Sequence, residues 1–234
     1  FIDGKLVAEN GKAVFEIRNR VDKAVTHSVH IKPFIIEDLA IKLSSEKAKV
    51  ISLKNHELVT KCKILNVNLT NGIFDCKKNP QIQKLIVMER HKKTGKIGKG
   101  LIENYGISGG AIATTIAHDS HNIIAAGDND SDIFVAINEL NKMGGGIILV
   151  KNKKVIGSLP LPIAGLMSDK SFVEVSQTLK NLLELAWNEL GISREIEPFM
   201  TLSFLSLPVI PEIKLTPRGL FDVCKFNFTP IEAD

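Results

Sequence analysis

The sequence is poor in cysteine, and what it has is arranged in no recognisable pattern. Its 234 residues include three cysteines, Cys62, Cys76 and Cys224, with no CxxC spacing and an odd total. A disulfide framework is therefore not expected, and no cysteine pair is available to complete a zinc site. Free thiols are typical of a reducing compartment, which favours the cytoplasm.

Aromatic residues and long apolar runs are also scarce. The chain has one Trp and one Tyr, and its densest lysine cluster, HKKTGKIGKG at 91–100, contains no aromatic residue, so stacking on nucleic acid has little support. The longest apolar run, MTLSFLSLPVIP at 200–211, is too short to span a bilayer and contains two prolines. The opening FIDGKL carries charge where a signal peptide would be apolar. We expect a cytoplasmic protein that binds neither nucleic acid nor membranes.

What remains is an ordinary globular composition, 44% hydrophobic and 24% charged, with a net charge of +4. The length allows one large domain or two smaller ones. An Asn10-Gly11 turn predicts a β-hairpin over residues 1–20. Segments rich in β-branched residues predict further strands, which are KVISLK (49–54), LVTKCKILNVNLT (58–70), KLIVMERH (84–91) and a second hairpin over 147–161.

Two helices are predicted from apolar residues at helical spacing. The first covers about 131–143 and ends before Gly144. The second covers about 172–190, begins with a capping box of Ser171 and Glu174, and ends before Gly191. Because hairpins outnumber strand–helix–strand units, we predict an α+β fold with mostly antiparallel sheets and at least two helices.

The stretch AHDSHN places five polar residues between two apolar segments, AIATTIA and NIIAAG. His118, Asp119, Ser120, His121 and Asn122 are therefore the candidate site, on a turn that brings the two imidazoles together. Such a loop is either satisfied by its own hydrogen bonds or faces a ligand. A metal site is a third possibility, but no further ligand occurs at a recognised spacing.

Glu89, Arg90 and His91 form a secondary candidate at the end of a predicted strand. A triplet of this kind is usually an ion pair at a sheet end, but it could also face a cleft.

Two apolar segments contain prolines, LPLPIAGLMS (159–168) and PFMTLSFLSLPVIPEIKLT (198–216). Because proline cannot donate to a sheet ladder, both are predicted to be extended edge or loop segments. Their side chains either belong to the core of the domain or form a wall against another domain or subunit.

Several of these stretches together resemble the C-terminal part of the bacterial adenine deaminases, metal-dependent enzymes of the amidohydrolase superfamily. The resemblance runs in family order from about residue 34 to 226. It lies in IVMERHKKTGKIGKG, GAIATTIAHDSHNIIAAGDND, GGGIILV, LPLPIAGLMSD and PFMTLSFLSLPVIPEIKLTPRGLFDV. The opening FIDGKLVAENGK resembles the strand pair that follows the barrel in many amidohydrolases. The resemblance thus implies two parts, the end of the small β domain (1–33) and the C-terminal domain (34–234).

The resemblance implies hydrolysis of adenine to hypoxanthine and ammonia, in which a metal-bound hydroxide attacks the ring and a carboxylate moves the proton. The family holds its manganese or iron on a (β/α)₈ barrel of about 250 residues with an HxH pair. This chain has no HxH and no room for a barrel. We therefore expect no metal in this chain and no catalysis by it alone. Its expected partners are its own N-terminal barrel, adenine and further copies in a homo-oligomer.

Three hypotheses remain for the role of the chain. It could cover or complete the active site of the deaminase through the AHDSHN loop. It could be a purely structural or dimerisation module. It could also be an independent small metal-binding hydrolase that uses His118, Asp119 and His121.

Overall fold

The computed structural model describes residues 1–16 and 21–233, which contain fifteen strands and three α-helices. The strands are β1 (Ala8–Glu9), β2 (Lys12–Ala13), β3 (Lys47–Ser52), β4 (Lys61–Asn66), β5 (Leu69–Thr70), β6 (Ile73–Phe74), β7 (Ile82–Met88), β8 (Ile97–Glu103), β9 (Ala111–Thr114), β10 (Ile123–Gly127), β11 (Gly146–Lys151), β12 (Lys154–Pro160), β13 (Ile213–Thr216), β14 (Gly219–Asp222) and β15 (Asn227–Phe228). The helices are α1 (Asp130–Lys142), α2 (Phe172–Asn188) and α3 (Pro198–Phe204).

The N-terminal hairpin forms as predicted, with β1 paired to β2 across Asn10-Gly11. Both turn residues have positive φ, 50° and 76°, the conformation that favours Asn-Gly here. The predicted second half of this hairpin includes residues 17–20, which lie outside the described residues.

The centre of the molecule is an eight-stranded sheet in the order β12-β11-β9-β10-β7-β8-β3-β4. Its neighbouring strands are antiparallel except β3 and β8, which run parallel. The predicted hairpin over 147–161 is present as β11–β12, and the predicted strand at 84–91 forms a second long hairpin, β7–β8. The predicted α+β class with mostly antiparallel sheets is therefore confirmed.

Both faces of this sheet are covered. In β7, Leu85 and Val87 join one hydrophobic cluster while Ile86 and Met88 join another on the opposite face. Helix α1 covers the second face, and α2, α3 and the small sheet β13-β14-β15 contribute to the cluster on the first. Because side chains alternate across a strand, a sheet buried on both faces has strands that are apolar throughout.

The predicted helices are confirmed, with ends that differ by one or two residues. Asn129 caps α1, since its side chain accepts the backbone N–H of Asp132. The predicted capping box of Ser171 and Glu174 begins α2. This helix ends at Asn188 rather than at residue 190.

The prediction for 198–216 was wrong over its first part, because Pro198–Phe204 is helical. The side chain of Glu197 accepts the N–H of Met200, and Pro198 occupies the first helical turn, where its missing N–H costs nothing. Phe199 and Leu202 are both buried. They lie three residues apart, a spacing that places both side chains on one face of a helix. In the other proline-containing segment, Leu159 and Pro160 end the edge strand β12, as predicted.

The small sheet approaches β8 closely at one glycine. A Cβ atom on Gly98 would lie 1.8 Å from the carbonyl oxygen of Thr216. Nearby, Gly100 faces Leu215 and Leu220 at ordinary contact distance, 3.4 Å. The backbone of β13 can therefore rest on β8 only where β8 has no side chain.

None of the helices in the described ranges has the length and apolarity needed to cross a bilayer. All three cysteines are free.

Candidate functional site

Residues 117–122, which we call the His loop, connect the antiparallel strands β9 and β10. The loop is a tight turn: His121 has a positive φ of 47°, and its N–H donates to the carbonyl oxygen of Ala117 at 2.6 Å. The predicted turn between two apolar strands is therefore confirmed.

The turn brings the two imidazoles together, as predicted. The ring centroids of His118 and His121 are 5.6 Å apart in an edge-to-face arrangement. On its other side, the His118 ring lies 4.5 Å from the ring of Phe204 in α3. The result is a row of three aromatic rings at one edge of the loop.

Helix α3 and the residues after it hold the backbone of the loop. The N–H of His118 donates to the carbonyl oxygen of Ser203 at 3.0 Å, and the Ser206 hydroxyl donates to the carbonyl oxygen of His118 at 3.1 Å. Ser203, Phe204 and Ser206 were not expected at this site, because their segment was predicted to be extended. The Glu197-Pro198 helix start was the signal that could have revealed them.

Arg90 supports the loop from the opposite side. It is 1% exposed, and its guanidinium donates to the carbonyl oxygens of Ser28, His121 and Ala164. Its backbone N–H also donates to Oδ1 of Asn122 at 3.3 Å. Burial lowers the pKa of the guanidinium, but an arginine remains charged at any physiological pH. This one cation therefore joins three separate segments around the candidate site.

Glu89 and His91 complete the support. The Glu89 carboxylate accepts the backbone N–H groups of His91, Lys92 and Thr94 and the Thr94 hydroxyl. Burial would raise the pKa of Glu89, but these hydrogen bonds outweigh it and lower the pKa to about 2. His91 Nε2 lies 2.8 Å from the carbonyl oxygen of Ser120.

The alternative that the secondary candidate is an ion pair was therefore wrong. Within the described ranges, Glu89 binds N–H and O–H donors of the following turn, and Arg90 binds only carbonyl oxygens. The Glu89 carboxylate is satisfied by N–H and O–H donors, and the Arg90 guanidinium is satisfied by carbonyl oxygens. Neither group therefore needs the other as a partner. Arg90 and His91 brace the His loop, and Glu89 and His91 line a cleft, which was the second possibility.

The backbone of the loop is hydrogen-bonded at Ala117, His118 and His121, whereas several of its side-chain groups have no partner among the described residues. Asn122 donates to Ser120 Oγ, and His121 Nδ1 accepts the N–H of Ala117, so the neutral His121 ring carries its proton on Nε2. Burial, His118 and Arg90 lower the pKa of His121 and favour this neutral form. No hydrogen bond to another described residue occupies His121 Nε2, either ring nitrogen of His118, or the Asp119 carboxylate.

The donor set does not fit a catalytic metal. In the part of the chain that the structure describes, no three His, Cys, Asp or Glu residues are arranged to hold a metal ion. His118, Asp119 and His121 thus offer hydrogen-bonding groups rather than a coordination site. The hypothesis of an independent metal-binding hydrolase has no support in this geometry.

Known proteins resemble this chain along nearly its whole length. The family model of the adenine deaminase C-terminal domain matches residues 57–227. An adenine deaminase of Nitratidesulfovibrio vulgaris (strain DP4) is 50% identical over 229 residues, 97% of this chain and 40% of the relative. Adenine deaminase 2 of Carboxydothermus hydrogenoformans is 49% identical over 231 residues, 99% of this chain and 40% of the relative. An adenine deaminase of Clostridium acetobutylicum is 46% identical over 226 residues, 96% of this chain and 40% of the relative. The chain spans about two fifths of the length of these relatives.

Proposed function

The chain belongs to the adenine deaminase C-terminal domain family, and from this premise we propose that it is part of an enzyme that hydrolyses adenine to hypoxanthine and ammonia. The support is the family match together with three relatives that are named adenine deaminases. We propose residues 1–33 as the end of a small β domain and residues 34–234 as the C-terminal domain. Adenine salvage in the cytoplasm is the setting that we propose for this reaction.

We place the metal of the enzyme, manganese or iron, on the part of the protein that precedes this domain in the relatives. The reason is the donor set, since none of the described residues form a group that could hold a metal. A bound metal would supply the activated water that attacks adenine. The residues of this chain would then bind and cover the base.

The observation that carries the proposal is the contrast within the His loop. Its backbone is held from two sides, by α3 and by Arg90, while the polar groups of His118, Asp119 and His121 Nε2 have no partner among the described residues. A loop that served only to connect β9 and β10 would not need a backbone held from two sides together with polar side-chain groups that have no protein partner. Preorganised groups of this kind are what a binding site requires.

Adenine suits these groups chemically. Its ring nitrogens accept hydrogen bonds and its amino group donates them, so the neutral His121 Nε2–H and the Asp119 carboxylate offer one group of each kind. The rings of His118 and Phe204 add flat surface beside them. We therefore propose that the His loop lies over the bound base at the mouth of the active site.

We also infer that the enzyme is a homo-oligomer. Three apolar side chains near the start of α2 are largely exposed, Met167 by 59%, Phe172 by 85% and Val173 by 73%, which is typical of a contact surface. Sedimentation velocity of the complete enzyme tests this, and a purely monomeric enzyme would contradict it.

The test of the His loop is His118→Ala, made both in this chain and in the complete enzyme. We expect kcat/KM for adenine to fall about tenfold or more, which corresponds to about 1.4 kcal/mol of transition-state stabilisation. The melting temperature of this chain should change little, because His118 makes no side-chain hydrogen bond to a described residue and the variant loses only its ring contacts with Phe204 and His121.

The matched control is His30→Ala, which removes an exposed imidazole outside the loop. It should leave kcat/KM unchanged. The opposite pattern, a lower melting temperature with unchanged kcat/KM for His118→Ala, would support the structural-module hypothesis instead.

A further inference from the structure

A cleft of about 540 Å³ lies beside the His loop. It is lined by the β7–β8 turn, by the small sheet β13-β14-β15 with its turns, and by Asn122. Its volume falls within the range of roughly 300–1,000 Å³ that is usual for small-molecule sites. We call it the phenylalanine cleft, after Phe221, Phe226 and Phe228 in its wall.

The three phenylalanine rings are arranged around Phe221. The ring centroids of Phe226 and Phe228 each lie 5.3 Å from that of Phe221, at interplanar angles of 85° and 79°. Phe226 is nevertheless 74% exposed, and Phe228 is 38% exposed. The cleft therefore presents aromatic surface that the described part of the chain does not cover.

Phe226 is also held in an uncommon backbone conformation, with φ at +51°. Bulky residues rarely adopt positive φ, because this conformation is sterically strained. In the free chain, the exposed ring of Phe226 gains no burial energy that would offset this strain. Strained positions of this kind concentrate at ligand-binding sites. The strain thus agrees with a ring that is placed for contact with another molecule.

The cleft is also cationic. Arg218 has its guanidinium carbon 4.5 Å from the centroid of Phe228, and Lys92 and Lys96 line the same space. None of these three cations forms an ion pair with a carboxylate in the described ranges. The lining carboxylate, Glu89, is already occupied by four hydrogen-bond donors.

We propose that the phenylalanine cleft binds a small anion that carries a flat aromatic ring, of the nucleoside monophosphate class. Phe226, the most exposed of the three rings, offers surface for stacking a base, and Phe228 carries the guanidinium of Arg218 on its ring. The guanidinium of Arg218 and the two lysines offer charge-assisted hydrogen bonds to a phosphate. A bare inorganic anion would gain nothing from the phenylalanines, and a neutral ring would gain little from the cations.

The cleft shares two residues with the support of the His loop. Asn122 and His91 line the cleft, and both contact Ser120, through its hydroxyl and its carbonyl oxygen respectively. The cleft is still a separate site, because its rings and cations come from the small sheet and the β7–β8 turn. The binding proposal therefore stands independently of the role proposed for the loop.

The test is calorimetric titration of this chain with adenosine monophosphate, adenosine and inorganic phosphate. We expect the monophosphate to bind about tenfold more tightly than either fragment, since only it uses both halves of the cleft. Arg218→Ala and Phe226→Ala should each weaken the monophosphate about tenfold, the size of one charge-assisted hydrogen bond or one stacked ring. Thermal melts establish that both exposed-side-chain variants are folded.

Arg194→Ala is the matched control. Arg194 is exposed and lies 4.9 Å from the ring of Trp187, so it makes the same type of contact elsewhere on the molecule. It should leave binding unchanged. The proposal is overturned if the monophosphate binds no better than phosphate or adenosine, or if Arg218→Ala has no more effect than Arg194→Ala.

Discussion

Two buried cations, Arg90 and Lys214, donate to backbone carbonyl oxygens and to no carboxylate in the described ranges. They differ in what burial does to them. Arg90 keeps its charge and gains three carbonyl partners from separate segments, so it acts as a fixed positive centre beneath the His loop. Lys214 has a single partner, the carbonyl oxygen of Leu58 at 2.8 Å, and burial lowers its pKa to about 8.

The lowered pKa of Lys214 predicts a pH-dependent stability. Between pH 8 and 10.5 the folded chain binds fewer protons at this site than the unfolded chain, so the free energy of unfolding rises with pH in that window. This contribution is lost as pH falls through 8. Lys214→Met should remove it, with a difference on the order of 2 kcal/mol between the two ends of the window.

Urea denaturation at several pH values from 7.5 to 10.5 measures this difference. Lys225→Met is the control, because Lys225 lies in the same small sheet region but is 82% exposed. Its stability curve should run parallel to that of the unmodified chain. A parallel curve for Lys214→Met as well would show that Lys214 is not the cause.

At the scale of elements, the candidate site depends on contacts between distant segments. Helix α3 and Ser206 hold His118, whereas Arg90 and His91, which follow β7, hold Ser120, His121 and Asn122. The backbone of the loop is therefore tied to other segments at His118 and at His121, although the loop lies at the surface. The small sheet is placed by a different contact, the approach of β13 to β8 at Gly98.

Gly98→Ala should destabilise the chain by about 1–3 kcal/mol, because the new Cβ atom cannot fit against backbone and β13 must move away. Gly100→Ala in the same strand is the matched control, since its Cβ would meet side chains of Leu215 and Leu220 at contact distance. Thermal unfolding of the two variants compares them. Equal losses of stability would mean that the approach of the small sheet does not depend on Gly98.

At the scale of the whole molecule, the chain carries a core of its own. Its sheet is covered on both faces, and the three hydrophobic clusters are formed entirely by described residues of this chain. Domains are defined by such cores. Folding of the chain and catalysis by it are nevertheless separate questions, because none of the described residues form a metal-binding group.

We therefore expect the isolated chain to unfold cooperatively and yet to leave adenine unchanged. The expected absence of turnover follows from the donor set, because water needs activation to attack adenine at neutral pH. Calorimetric melting and an ammonia-release assay with added Mn²⁺ or Fe²⁺ measure the two properties. Adenine turnover by this chain alone would contradict the assignment of the metal to another part of the enzyme.

The sequence by itself determined the features that depend on local interactions. The Asn10-Gly11 hairpin, the capping box at Ser171 and the helix stop at Gly144 each involve backbone groups within a few residues, so their patterns can be read from neighbours in the chain. The same holds for the turn that brings His118 and His121 together. The predicted α+β class followed from the number of such hairpins.

Only the tertiary structure decided which segments meet. The helix at Pro198–Phe204 has starting signals in the sequence, but its apolar, proline-containing composition fits an extended segment equally well until Phe199 and Leu202 find the core. Arg90 donates a hydrogen bond to Ala164, which is far away in the chain. Lys92 and Arg218, which are also far apart in the chain, line the same cleft. Such a pairing leaves no pattern among neighbouring residues of the sequence. Its free energy comes from packing and desolvation, which arise only once the sheet has formed.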